Sequence, residues 1–149
     1  MSTIVCMRSI TKTFPGTVAN DSVDFCLESE EVHSLVGENG AGKTTLMRIL
    51  YGMYTPNSGT IEIHGLPVKI RNTQHALDLG IGMVHQNFMQ IPTMSILENI
   101  ILGNPPIKNM GFIDYNAARR KILELLEQFG MNVNPNTSIN SLSVGERQK

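Results

Sequence analysis

The stretch VHSLVGENGAGKTTLMRIL, residues 32–50, decides how the rest of the chain is interpreted. A short apolar run at 32–36 comes first, and a glycine-rich segment follows it. Residues 43–51 then carry apolar side chains at helical spacing. We therefore predict a strand, a tight loop and a helix in that order. Within them, residues 37–44 match the pattern G-x-x-x-x-G-K-[ST], which is typical of phosphate-binding loops.

The residue types in this loop suit the binding of a nucleoside triphosphate. Glycines let the backbone turn tightly, so that its N–H groups converge on phosphate oxygens. The helix that follows directs its positive end to the same place. Lys43 would bring a full positive charge to the β- and γ-phosphates, and Thr44 would offer its hydroxyl to Mg²⁺. The alternative is a glycine-rich turn that carries this Lys-Thr pair incidentally.

Composition excludes several classes of protein. The chain has 149 residues, of which 41% are hydrophobic and 17% charged, as expected for one globular domain. Its net charge of −1 gives no general attraction for nucleic acid, so no nucleic-acid partner is expected. We expect neither a membrane span nor a secretory signal. Cys6 and Cys26 are expected to be separate, buried thiols in a reducing compartment rather than a disulfide.

The character of the chain changes near residue 86, which predicts an α/β fold in two parts. The strand-rich part, residues 1–86, has predicted strands at 4–9, 23–27, 32–36, 60–64 and 81–85, and predicted helices at 43–51 and 73–79. The helical part, residues 87–149, begins with a capping box at Ser95 and Glu98. Asp114 can cap a longer helix, whose apolar stripe is Ala118, Ile122, Leu125, Leu126 and Phe129.

Two further segments resemble motifs of a known family. MVHQNF at residues 83–88 places Gln86 directly after a predicted strand, and LSVGERQK occupies residues 142–149. Residues 37–45, 83–88 and 142–149 resemble the Walker A, Q-loop and signature motifs of the ABC ATPases, respectively, and they occur in the family's order. Four segments are most similar to the branch that serves simple-sugar and nucleoside importers, namely residues 84–89, 91–93, 98–100 and 142–145.

The resemblance implies a P-loop NTPase fold of the ABC ATPase type, with ATP and Mg²⁺ as cofactors. Lys43 and Gln86 would then be catalytic, and Thr44 and Gln86 would contact the metal. Phe14 would stack on the adenine ring, with a core phenylalanine as the alternative. The residues implied to contact nucleotide are Phe14, Gly37, Glu38, Asn39, Gly40, Ala41, Gly42, Lys43, Thr44, Thr45, Gln86, Ser143, Gly145 and Glu146.

The signature segment is implied to complete the ATP site of a second subunit, through Ser143, Gly145 and the start of a helix. It departs from the commonest family form, because Val144 and Glu146 stand where glycine and glutamine are usual. A carboxylate at Glu146 would disfavour a second anion at this helix end. A third departure is Glu30, which stands where a turn glycine is common.

The resemblance also implies partners and a location. We expect an ATPase subunit, peripheral on the cytoplasmic face of the cell membrane, with transmembrane permease subunits and a second ATP-binding domain as partners. The family's Walker B aspartate, catalytic glutamate and switch histidine would lie beyond Lys149, so residues 1–149 are expected to be an incomplete domain that binds ATP without turnover. Two alternatives stay open: a soluble ABC ATPase of translation or DNA repair, and a nucleotide-binding module that does not hydrolyse.

Overall fold

The computed structural model describes residues 2–85 and 89–148. It divides into two compact units, Met1–Val84 and His85–Lys149, and the predicted boundary after residue 86 lies close to that division. In the described ranges, no helix has the length and apolar character needed to cross a bilayer.

The first unit is built around a long antiparallel hairpin that extends into a four-stranded sheet. Its strands are β1 (Thr3–Phe14), β2 (Thr17–Glu28), β3 (Ser58–Ile63) and β4 (Leu66–Pro67), in the spatial order β2-β1-β3-β4. The apolar residues Val5, Met7 and Ile10 of β1 are buried in one core with Leu46 and Ile49. The predicted strands at 4–9, 23–27 and 60–64 are confirmed, and the first two are longer than predicted.

Two helices pack on this sheet. They are α1 (Lys43–Leu50) and α2 (Thr73–Asp78), both close to their predicted limits. The apolar face of α1 buries Leu46 and Ile49 in the same core as β1, and α2 contributes Ala76. Packing of α1 on the sheet therefore fixes the position of the loop from which the helix begins.

The second unit is helical, and its helix starts follow the predicted caps. Its helices are α3 (Ile96–Ile101), α4 (Tyr115–Gln128) and α5 (Val144–Gln148). Ser95 and Glu98 form the predicted capping box of α3, and Asp114 caps α4 by accepting hydrogen bonds from two backbone N–H groups. Of the predicted stripe on α4, the side chains of Ala118, Ile122 and Leu126 are buried with Leu97 and Ile101, whereas Leu125 and Phe129 are exposed.

Two predicted strands, at 32–36 and 81–85, are wrong. Both runs lie outside the helices and strands, and the side chains of Val32, Val36 and Val84 are at least 90% exposed. Short apolar runs of this kind are typical of strands buried within a parallel sheet. A strand needs a hydrogen-bonded neighbour, and within residues 2–85 and 89–148 neither run has one.

The expectation of two separate cysteine thiols is also wrong. Cys6 on β1 and Cys26 on β2 are directly opposite in the antiparallel register, with Cα atoms 4.1 Å apart, and the structure joins them in a disulfide. Cys6 is buried, but Cys26 is exposed. Directly opposed side chains project from the same face of a sheet, a pairing that neither strand shows when it is considered alone.

The turn after β2 explains the departure at Glu30. Glu30 has a φ of 63°, in the left-handed region that glycine adopts without steric cost. The next residue, Glu31, accepts a hydrogen bond from the backbone N–H of Glu28 at 2.8 Å, which closes the turn. The non-glycine residue is thus accommodated in the conformation that a glycine would take.

Candidate functional site

The loop before α1 is shaped by two glycines in left-handed conformations. Gly40 has a φ of 87° and Gly42 a φ of 83°, which non-glycine residues rarely adopt. Between them, the backbone N–H of Ala41 donates to the carbonyl oxygen of Glu38 at 3.2 Å. The chain therefore turns tightly and enters α1 with Lys43 as the first helical residue.

The side chain of Lys43 folds back into this loop. Its ammonium donates to the carbonyl oxygen of Gly37 at 2.5 Å and to that of Glu38 at 2.7 Å. Both acceptors are uncharged carbonyl groups, whereas a phosphate oxygen carries negative charge and would add direct Coulomb attraction to the hydrogen bond. A phosphate oxygen would therefore compete well for this ammonium, which already lies within the loop.

The N-terminus of α1 is open to an anion. In the described chain, no side chain caps this end, and its first turn contains Lys43, Thr44 and Thr45 with no acidic residue. The first N–H groups of a helix have no acceptor inside it, and they carry partial positive charge. Thr44 is exposed at this end of the helix. The cation, the open helix end and the tight loop fit a phosphate group.

The end of the loop packs closely against β2. A Cβ atom on Gly42 would lie 2.0 Å from the carbonyl oxygen of Ala19 and 2.8 Å from Nδ2 of Asn20, so no larger residue fits without movement. The Asn20 amide also donates to the carbonyl oxygen of Gly42 at 3.3 Å. Asn20 belongs to no sequence motif and precedes the predicted strand at 23–27, and its contact with Gly42 joins residues 22 positions apart, so no local pattern identifies it.

Phe14 lies at the end of β1, outside the buried core of the first unit. The residue is 37% exposed, and its ring meets the ring of Tyr54 edge to face, with centroids 5.4 Å apart. The Lys12 ammonium is 5.3 Å from the Phe14 centroid. Phe14 is therefore a partly exposed residue and not the core phenylalanine of the alternative interpretation.

The signature segment forms a second capping box. The carboxylate of Glu146 accepts hydrogen bonds from the backbone N–H of Ser143 at 2.9 Å and from its hydroxyl at 2.7 Å. In return, the backbone N–H of Glu146 donates to the Ser143 hydroxyl at 3.3 Å. Glu146 thus provides an internal anion at the start of α5. Gly145 is exposed, with open space where a Cβ would lie.

Thr44 is the candidate metal ligand that lies within the described residues. Gln86, the predicted ligand and catalytic residue, lies outside the described residues. Among those described, no group of three or more histidine, cysteine, aspartate or glutamate side chains could hold a metal ion. Mg²⁺ at a phosphate site needs few protein ligands, because nucleotide and water oxygens supply the others. Thr44, an exposed residue with a hydroxyl group, fits that requirement.

Comparison with solved structures agrees with the fold. An ATP-binding cassette of an ABC transporter in its ADP conformation superimposes with a TM-score of 0.78 at 22% identity, over 99% of this chain and 62% of that one. A dimeric cassette bound to ADP and Pi gives a TM-score of 0.73 at 25% identity, over 97% of this chain and 66% of the other. The predicted α/β fold of the ABC ATPase type is confirmed.

Sequence comparison covers nearly the whole chain. The guanosine import ATP-binding protein NupO of Bacillus subtilis is 43% identical over 149 residues, which are 100% of this chain and 29% of that protein. The nucleoside import ATP-binding protein NupA of Lactococcus lactis is 45% identical over 99% of this chain and 29% of its own length. The ribose import ATP-binding protein RbsA 1 of Rubrobacter xylanophilus is 47% identical over 99% of this chain and 30% of its own length.

The chain therefore spans less than a third of the length of these relatives. The family model described as ABC transporter matches residues 20–149. This match includes the glycine-rich loop, α1 and the capping box at Ser143. The chain thus belongs to the ABC transporter family, and its similarity lies with the family's ATP-binding proteins.

Proposed function

We propose that residues 37–45 bind the phosphates of Mg-ATP, and that the whole protein is the ATP-hydrolysing subunit of a membrane importer. The observation that carries this proposal is the position of the Lys43 ammonium, held by the carbonyl groups of Gly37 and Glu38 beside the uncapped start of α1. Loop, cation and helix end together favour a polyphosphate over a neutral ligand.

Within this site, each group has a defined task. Lys43 exchanges its carbonyl acceptors for β- and γ-phosphate oxygens, and the backbone N–H groups of residues 40–45 surround the chain of phosphates. Thr44 offers its hydroxyl to Mg²⁺, and Gln86 is proposed to contact the metal or the attacking water. The metal, when bound, neutralises charge on the phosphates. Phe14 is proposed to stack on the adenine ring.

The signature segment is proposed to act on the nucleotide of a second ATP-binding domain. Ser143 would donate its hydroxyl and Gly145 its backbone N–H to a γ-phosphate. That phosphate would replace the Glu146 carboxylate, which now accepts both the N–H and the hydroxyl of Ser143. Two anions at one helix end repel each other, so this exchange would make Glu146 a determinant of how tightly the second domain binds.

The transported substrate is proposed to be a nucleoside or a simple sugar. The similar proteins are named for the import of guanosine, nucleosides and ribose. The proposed partners are transmembrane permease subunits and a second ATP-binding domain, and the proposed location is the cytoplasmic face of the membrane. A soluble ATPase of translation or repair is not favoured, since the net charge of −1 provides no attraction for nucleic acid.

Calorimetric titration of the chain with ATP tests the nucleotide site, with and without Mg²⁺, and inorganic triphosphate serves as the competitor. We expect binding that triphosphate displaces, because the loop contacts phosphate rather than base. If ATP and triphosphate both fail to bind a folded chain at millimolar concentration, the proposal is wrong. The import role is tested separately by uptake of labelled guanosine and ribose in cells that lack the whole protein.

A further inference from the structure

Asn20 is the buried polar residue in the part of the chain that the structure describes. Only 5% of its surface is exposed, and it lies on β2 against the end of the phosphate loop. Its Nδ2 donates to the carbonyl oxygen of Gly42 at 3.3 Å. Its Oδ1 is buried and has no hydrogen-bond partner among the described residues.

A buried amide with so few hydrogen bonds is unfavourable for folding. Burial removes water from both polar atoms, and only the Nδ2 atom regains a partner. Leucine has the same branched skeleton and would add apolar contact at this position without an unsatisfied atom. The amide of Asn20 therefore lowers the stability of the fold, and packing alone does not explain why an amide occupies this position.

The hydrogen bond from Asn20 acts on the peptide unit where phosphate loop and helix meet. The Gly42 carbonyl also accepts the backbone N–H of Leu46 at 2.9 Å, the first hydrogen bond of α1. A peptide unit is planar and trans, so the Gly42 carbonyl and the Lys43 N–H point in opposite directions. A donor that holds the Gly42 oxygen thereby sets the direction of the Lys43 N–H at the open helix end.

We infer that Asn20 is a positioning residue for the phosphate site, acting through the Gly42–Lys43 peptide. The Ala19 carbonyl fills the space beside the Gly42 Cα, and the Asn20 amide holds the Gly42 oxygen, so β2 fixes this peptide at two points. The inference rests on the proposed binding of ATP by residues 37–45. It adds a residue outside the glycine-rich motif to the set that determines affinity for phosphate.

The test compares the chain with its Asn20→Leu variant by two measurements, the melting temperature without nucleotide and the affinity for Mg-ATP. We expect the variant to melt at the same or a higher temperature, because an unsatisfied polar atom is removed. We expect it to bind Mg-ATP about three- to tenfold more weakly, as the loss of one hydrogen bond predicts. If Asn20 served only in packing, its replacement would not weaken Mg-ATP binding while leaving the melting temperature unchanged.

Val23→Leu is the matched control, because Val23 packs against the core from the same strand. It should leave affinity unchanged. If Asn20→Leu does not fold, the Asn20→Ala variant is used in its place. Its affinity for Mg-ATP is measured well below its melting temperature, and we again expect weaker binding than in the wild type. Wild-type affinity in a folded Asn20 variant overturns the inference alone, whereas a wild-type chain that binds no ATP overturns the proposed function.

Discussion

The Lys43 ammonium lies 2.7 Å from the carbonyl oxygen of Glu38, so the charge of the phosphate site is held by the backbone of its own loop. We predict that Lys43→Ala weakens Mg-ATP binding by about 10- to 100-fold, which is the value of a hydrogen bond to a charged group. Titration with a fluorescent ATP analogue measures the effect.

Lys69→Ala is the control for this variant, because Lys69 is an exposed lysine of the same unit. It also removes one positive charge, so a nonspecific effect of charge would appear in both variants. Equal affinities for the wild type and Lys43→Ala would show that the loop does not bind phosphate through this ammonium.

Gly42 and Gly40 provide a matched pair of alanine substitutions. Both have positive φ, and left-handed backbone costs about 1–2 kcal/mol for a residue with a Cβ. A Cβ at Gly42 would also lie 2.0 Å from the Ala19 carbonyl oxygen, whereas one at Gly40 would meet nothing within 4 Å. We therefore predict that Gly42→Ala lowers the melting temperature of the nucleotide-free chain clearly more than Gly40→Ala. Similar melting temperatures would contradict the close packing of the loop on β2.

Local chemistry explains which predictions from sequence succeeded. The starts of α3 and α4 depend on Ser95 and Asp114, which bond to backbone within the next three residues, so the sequence pattern contains the cause. The failed strand at 32–36 depends on neighbours distant in sequence, which no local pattern supplies. Asn20 and the Cys6–Cys26 pair were missed for the same reason, since each acquires its role from a partner at least 20 residues away.

Phe14→Ala separates base stacking from phosphate binding. The Phe14 ring is partly exposed and rests edgewise on Tyr54, so its removal should not open the core. We predict that ATP binding weakens by about 1–3 kcal/mol, the range for stacking of an aromatic ring on a base, while affinity for inorganic triphosphate hardly changes. Phe14→Tyr retains a ring and should bind ATP normally. An equal loss for both ligands would indicate a folding defect instead.

The helical unit should lose stability in acid because of its caps. Hydrogen bonds from the backbone N–H of Ser95 lower the pKa of Glu98, and those from Ala117 lower the pKa of Asp114. In an unfolded chain the pKa is about 3.9 for an aspartate and about 4.3 for a glutamate. A carboxyl group whose pKa is lower than this in the folded state stabilises the fold at any pH above the unfolded value. This stabilisation is lost as the pH falls through the folded pKa.

Asp114→Asn tests this dependence, because asparagine caps helices about as well as aspartate but does not titrate. The measurement is the midpoint of urea unfolding at pH 7 and at pH 3, monitored by the circular dichroism signal of the helices. We predict a smaller difference between the two midpoints in the variant than in the wild type. An unchanged difference would mean that Asp114 contributes nothing to the acid sensitivity of the helical unit.

Ile122 and Leu123 are neighbours on α4 that face different surroundings. Ile122 is 3% exposed and packs with Leu97, Ile101, Ala118 and Leu126, whereas Leu123 is 44% exposed. Truncating a buried isoleucine to alanine costs about 2–5 kcal/mol, because apolar burial is lost and a cavity remains. We therefore predict that Ile122→Ala greatly accelerates hydrogen exchange of the α3 and α4 amides, while Leu123→Ala has little effect. Exchange in β1 should change less, since β1 belongs to the separate core of the first unit. Similar exchange in the two variants would contradict the assignment of this face of α4 to the core.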